Sequence, residues 1–80
     1  MLDGVKNMNI FGDRLKEQRK EKHVTQQVVA DHLGLTCRAY QYYEGGKGFP
    51  DYHGLLALAE YFGVSIDYLV GRTENPEVNQ

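Results

Sequence analysis

The chain has 80 residues, 41% of them hydrophobic and 25% charged, with a formal charge of −2. A chain of this length buries only about 60–65% of its unfolded surface, which leaves room for one small domain and excludes a multi-domain enzyme. No apolar run approaches the ~18–20 residues of a membrane span, and the first ten residues lack the apolar stretch of a secretory signal, so a cytoplasmic location without a membrane partner is expected.

A single cysteine, Cys37, cannot form an intrachain disulfide, so helix packing has to hold so small a fold together. The charge is unevenly spread. Residues 1–50 carry eight basic against six acidic groups, a balance of +2, whereas residues 51–80 carry Arg72 against five acids, a balance of −4. The change of sign points to one face for an anionic partner and another kept clear of it.

Residues 1–9 mix polar and isolated apolar residues and read as a flexible N-terminal extension, with Met8 as an alternative start. Phe11, Leu15, Gln18/Arg19 and Lys22 follow helical spacing, with Asp13 early and basic residues late as the helix dipole favours, which predicts a first helix near 10–22. Thr25 is placed to cap a second helix, Gln26 to Leu33, with Val29, Ala30 and Leu33 inward and Gly34 just past its end. Thr36 caps a third helix through Glu44, and Gly45, Gly46, Gly48 and Pro50 then impose a loop. Asp51 caps a fourth, whose Leu55, Leu58, Ala59 and Phe62 read i, i+3, i+4, i+7 before Gly63. Ser65 caps a short fifth helix with Ile66 and Leu69 inward, ending before Gly71. The polar stretch 72–80 reads as a disordered tail or linker. No internal repeat and no strand-like alternation is present. The expected fold is all-α, a compact bundle of five short helices over residues 10–71. Two of them, about eight residues each and joined by a short Gly-containing turn, make a central helix-turn-helix.

Four stretches carry a family pattern: F-G-x-R-L-K-x-x-R-K from Phe11, T-Q-Q-x-V-A-x-x-L-G-L-T from Thr25, Y-Y-E-x-G-K-x-x-P from Tyr42, and L-x-L-A-x-x-F-G-V-S-x-D-Y-L-x-G from Leu56. In this order and spacing, the segment from Phe11 to Gly71 resembles the Xre/Cro-type helix-turn-helix family of bacterial and phage transcriptional repressors. The resemblance implies a lambda-repressor-like domain whose third helix reads the DNA major groove while the second lies across the backbone. One small recognition helix makes few base contacts, so a homodimer on an inverted-repeat operator is expected, without a cofactor; relatives make such contacts near the fifth helix, which offers Ile66, Tyr68, Leu69 and Val70 as candidate interface residues, with burial inside the monomer the preferred reading for Ile66 and Leu69.

Side chains on the first turn and outer face of a recognition helix must reach base edges, which nominates Thr36, Cys37, Arg38, Gln41 and Tyr42. Arg38 is the strongest candidate, because its fork can bind guanine O6 and N7 together, worth roughly 1–3 kcal/mol of discrimination. The alternative for each is a plain surface residue. Cys37 stands where the family commonly has a polar base-reading group, and is either a small spacer or an oxidisable contact. Tyr40 and Tyr43 are expected to pack inward. Gln26 resembles the family's phosphate-binding glutamine. Thr25, Gln27, Gly45, Gly46 and Lys47 complete the expected phosphate clamp. Arg14, Lys16, Lys20 and Lys22 either add long-range attraction or form a solvated face. Arg19 and Glu44 match the family's structural ion pair.

Two other function classes compete. An enzyme lacks support, since His23, His32, His53 and Cys37 are scattered without metal-ligand spacing, and no metal site is expected. A protein-interaction module that keeps the fold with little DNA binding, antitoxin-like or a regulatory subunit, stays open as the second reading.

Overall fold

Four side-chain oxygens start four of the five helices. Thr25 Oγ1 and Thr36 Oγ1 accept from the backbone N–H of Val28 and Ala39 at 3.2 and 3.1 Å; Asp51 Oδ1 accepts from Gly54 N at 2.9 Å and Ser65 Oγ from Tyr68 N at 3.0 Å. Each cap contributes about 1 kcal/mol. In the computed structural model, which describes residues 3–78, they open α2 (Gln26–Leu33), α3 (Cys37–Glu44), α4 (Tyr52–Phe62) and α5 (Ile66–Leu69), and α1 (Asp3–Glu21) precedes them. Every described element is helical.

Two corners are built alike. Gly34 and Gly63 follow α2 and α4 at φ 72° and 71°, a left-handed conformation that glycine adopts without penalty. The next residues, Leu35 and Val64, donate to the carbonyls of Ala30 and Ala59 at 2.8 and 3.0 Å, and Thr36 and Ser65 then cap the following helix. This Gly–apolar–hydroxyl corner sets the angle between α2 and α3, and so aims the outer face of α3.

All five helices contribute to one core. Phe11 and Leu15 come from α1, Val29 and Ala30 from α2, Tyr40 from α3, Leu58 and Ala59 from α4 and Leu69 from α5, with Val64 from the second corner. The inward positions expected of α2 and α4 are in this core or packed against it. Where α1 crosses the end of α3, Gly12 is the contact point: a Cβ there would collide with the Glu44 carbonyl and stand 3.0 Å from Gly46 N. Only a residue without a side chain lets the two helices approach so closely.

Two expected boundaries need correction. The first helix begins at Asp3 and not near residue 10, so from Asp3 onward the supposed flexible extension is helical; Met1 and Leu2 lie outside the described residues. No proline interrupts this stretch, and each residue added to an existing helix gains a hydrogen bond without a new nucleation cost. The tail is also not free over its described part. Ser65 N donates to Pro76 O at 2.9 Å, Arg72 N to Asp67 O at 2.8 Å, and Arg14 Nη1 to Thr73 O at 2.6 Å. Arg14 also donates to Tyr68 O and lies 4.1 Å from the centroid of the Tyr68 ring. Backbone carbonyls, invisible to a composition argument, hold this segment; Asn79 and Gln80 lie outside the described residues.

His23, just past α1, is the one described non-glycine residue with positive φ, 61°. It holds the helix end as Gly34 and Gly63 hold theirs, its N–H meeting Lys20 O at 3.0 Å while Val24 N meets Arg19 O at 3.3 Å. An L-residue in this region costs roughly 1–2 kcal/mol, part of which the entropy of a glycine would give back. His23→Gly should therefore raise the thermal midpoint slightly, by the equivalent of about 1 kcal/mol or less; a clear fall in a calorimetric scan would show that the imidazole contributes more than its strained backbone costs.

Candidate nucleic-acid interface

Helix α3 has two unlike sides. Inward, Tyr40 is fully buried and Glu44 is 5% exposed. Tyr43, half-buried, packs against the core with its ring edge-on to Phe11 at 6.5 Å. Outward, Thr36, Arg38, Gln41 and Tyr42 are exposed and Cys37 is half-buried. The Thr36 hydroxyl oxygen is engaged by the Ala39 N–H in the cap, which leaves its own O–H free to donate. Tyr42, 53% exposed, lays its ring over Gly48: a Cβ at Gly48 would stand 3.0 Å from Tyr42 Cε2. The loop after α3 thus limits where the Tyr42 hydroxyl can reach.

The inward end of α3 is tied to α1 by a two-pronged ion pair. Arg19 Nε donates to Glu44 Oε2 at 2.6 Å and Arg19 Nη2 to Glu44 Oε1 at 3.2 Å, while Arg19 Nη1 reaches Val24 O at 3.3 Å. The side chains are 15% and 2% exposed, so water does little to weaken the attraction. The pairing expected of these two residues is present. Burial by itself raises the Glu44 pKa, but hydrogen bonding to Arg19, Tyr40 and Gln26 outweighs it and holds the carboxyl below its ordinary range. The neighbouring Tyr40 hydroxyl is buried against this carboxylate, and burial, followed by hydrogen bonding to Glu44, pushes its pKa up.

The expected phosphate clamp surrounds the N-terminus of α2 and the loop after α3. Thr25 caps α2. Gln27 Nε2 donates to Asp31 Oδ1 at 2.7 Å, so its amide already serves its own helix. Gly45, Gly46 and Lys47 donate their backbone N–H groups to the carbonyls of Gln41, Tyr43 and Tyr42 at 2.9, 3.1 and 3.2 Å. Those amides close α3; what remains for a phosphate is the exposed Lys47 ammonium and the close approach that two side-chain-free residues permit. Gln26 Nε2 donates to Glu44 Oε1 and Gln26 Oε1 accepts from Gln41 Nε2, both at 3.0 Å. Residue-by-residue reading missed this junction, because it joins the sides of two helices and leaves no spacing within either. Arg14 is likewise committed to α5 and the tail, and Lys22 Nζ lies 5.1 Å from the centroid of the Tyr61 ring.

The three histidines stay apart: His32 lies 4.5 Å from the Tyr61 ring, His53 is edge-on to Tyr52, and His23 ends α1. Among the described residues, no group of three or more His, Cys, Asp or Glu is placed to hold a metal ion, and no helix is long and apolar enough to cross a membrane.

Comparison with known proteins now gives the family. The profile of a family described as a helix-turn-helix domain matches residues 12–74, an interval that contains α2, its corner and α3. The chain belongs to the Xre-type helix-turn-helix family. It is 44% identical over 71 residues to the HTH-type transcriptional regulator YqaE of Bacillus subtilis, covering 89% of this chain and 61% of that protein. It is 45% identical over 64 residues to the SPbeta prophage-derived regulator YonR of the same organism, covering 80% and 59%. It is 38% identical over 65 residues to the cryptic phage CTXphi transcriptional repressor RstR of Vibrio cholerae, covering 81% and 58%. The chain thus spans about three fifths of the length of these relatives. No solved structure matches.

In this Xre-type domain the Arg19–Glu44 pair is open to a direct test. Because folding lowers the Glu44 pKa, its stabilisation is complete above the ordinary value of 4.5 and is lost as pH falls through the lower folded value. Glu44→Gln should flatten the acid limb of the melting profile below that pH. Glu44→Ala should cost about 3 kcal/mol, the low end for breaking a buried pair. A melting temperature unchanged by Glu44→Ala would rule out a structural role for the pair.

Proposed function

We propose that this chain is a sequence-specific double-stranded DNA-binding transcriptional regulator, a repressor that occupies promoter DNA without catalysing a reaction. The observation that carries this reading is the two-sided character of α3: Tyr40 and Glu44 fasten it to the scaffold while Arg38, Gln41 and Tyr42 stand in solvent on its other side. A helix held in this way offers the major groove a row of donors and acceptors with little left to order on binding. Thr36 and Cys37 lie at its leading turn. The N-terminus of α2, with Thr25, Gln26 and Gln27, and the loop at Gly45, Gly46 and Lys47 approach the flanking phosphates. The regulator names of the relatives support the same reading.

One eight-residue helix makes few base contacts, so binding as a homodimer to an inverted repeat follows, with half-sites about 34 Å apart. Of the candidate interface residues, Leu69 is spent inside the monomer and Tyr68 is covered by Arg14; Ile66 and Val70 are only partly buried and are left for that role. The site of action is the cytoplasm of a bacterium, with the gene of bacterial or phage origin. A second reading, a protein-interaction module, draws on an open apolar groove of about 500 Å³ lined by Leu33, Leu35, Tyr43, Phe49 and Pro50 among others.

Selection of bound duplexes from a random pool tests the proposal. The wild-type chain should enrich one motif, and log affinity should fall linearly with log salt, by about 0.9 for each phosphate contacted. Arg38→Ala should relax one position of that motif by about 1–3 kcal/mol. Failure to retain any duplex even at low salt would favour the interaction module, and an Arg38→Ala variant that selects the same motif with equal stringency would remove Arg38 from base reading.

A further inference from the structure

Tyr42 stands on the outward side of α3, but its ring leans on the loop that follows the helix. The residue is 53% exposed, yet a Cβ at Gly48 would stand 3.0 Å from Tyr42 Cε2 and 3.8 Å from both Cδ2 and Cζ. The three atoms nearest to that point all belong to this ring. Because Cζ carries the phenol oxygen, the hydroxyl lies beside the loop. Lys47, the preceding residue, is fastened to the same tyrosine, its backbone N–H donating to Tyr42 O at 3.2 Å. The lysine stem passes Gly45, with Cγ 3.7 Å from where a Cβ would stand there, and the side chain is exposed. A neutral O–H donor and a cation thus share one loop at the end of α3. Backbone geometry does not account for the glycine at position 48. Gly46 takes φ 72°, which calls for glycine, whereas Gly48 is not among the residues with positive φ. What the missing Cβ at Gly48 makes room for is the Tyr42 ring.

We propose that Tyr42 is a phosphate ligand and not a base reader, and that Gly48 is the positioning residue that seats its ring, so that the phenol O–H and the Lys47 ammonium together grip the sugar-phosphate strand at the rim of the groove. Base edges lie on the floor of the groove, where the leading turn at Thr36, Cys37 and Arg38 enters; phosphates line its walls, beside the loop at the other end of α3. A phenol O–H that donates to an ionised oxygen makes a charge-assisted bond, stronger than one to a neutral base atom. Lys47 supplies the contact that releases counterions, and Tyr42 the one that fixes direction. Seated before DNA arrives, the ring has little freedom left to lose on binding. This inference narrows the duplex-binding function proposed above and rests on it.

The experiment uses the duplex that the wild-type chain selects, together with its single-base-pair substitutions. Failure of that selection overturns the DNA-binding reading and this inference with it; once the wild type binds, the variants test the inference alone. Tyr42→Phe, which removes only the hydroxyl, should weaken every duplex by the same factor, roughly ten-fold for a hydrogen bond to a charged group, with base preference and salt slope unchanged. Lys47→Ala should also weaken all duplexes alike and should lower the salt slope by about 0.9. Gly48→Ala meets no backbone strain, so its melting temperature should stay level or rise slightly, while the displaced ring lowers affinity about as far as Tyr42→Phe does. In a Tyr42→Ala background, Gly48→Ala should have no further effect on affinity, a result that a purely structural glycine would not give. Loss of discrimination at one base pair in Tyr42→Phe makes Tyr42 a base reader and overturns the phosphate role, as does a Tyr42→Phe variant that binds like the wild type. The positioning role is overturned if Gly48→Ala binds as tightly as the wild type, or if it weakens the Tyr42→Ala variant as much as it weakens the wild type.

Discussion

The carboxylate of Glu44 is buried at the C-terminal end of α3, where the helix dipole already places partial negative charge. Left alone it would be among the least favourable groups in so small a fold. Arg19 reverses this with two hydrogen bonds, and in doing so fastens the end of α3 to α1. The same guanidinium reaches the Val24 carbonyl, so the turn leading into α2 is gathered to the same point. Three of the five helices are thereby referred to one cation. Gly12 makes the geometry possible by letting α1 lie against the α3 backbone. An ion pair and a missing side chain, two turns apart on the same face of α1, specify the same crossing.

With its end held, α3 can spend one side on packing and the other on display. The Tyr40 ring fills the core, fully buried, with its hydroxyl beside the Glu44 carboxylate. The cap at Thr36 and the corner at Gly34 fix the other end of the helix. An element of eight residues would be marginal in isolation. Here its orientation is determined at both ends by neighbours, and a rigid display helix needs that more than it needs intrinsic helicity.

Much of this was legible in the residues. Thr25, Thr36, Asp51 and Ser65 announce helix starts because a short side-chain oxygen suits an unpaired N–H, and glycines announce stops because few other residues tolerate left-handed backbone. The apolar face of α4 follows from spacing, and the inward packing of Tyr40 and Tyr43 from the family resemblance. Where reading failed, the cause was contact between distant segments. The grip of Arg14 on Tyr68 and Thr73 orders a tail whose composition reads as loose. The Gln26–Gln41 bond depends on which sides of α2 and α3 meet, and each residue on its own suggested an independent role. His23 at positive φ carries none of the glycine signal that marked the other helix ends.

The repeated corner has a consequence for how such a domain divides its labour. Gly34-Leu35-Thr36 and Gly63-Val64-Ser65 turn the chain through nearly the same backbone path, yet one leads to a helix of eight residues that stands clear on one side and the other to a helix of four that closes the bottom of the core. Identical hinges therefore produce a probe in one place and a plug in the other. The distinction is made by how many residues follow before the next break, Glu44 with its glycines in one case and Gly71 in the other, so that reach and not bend angle separates the two parts.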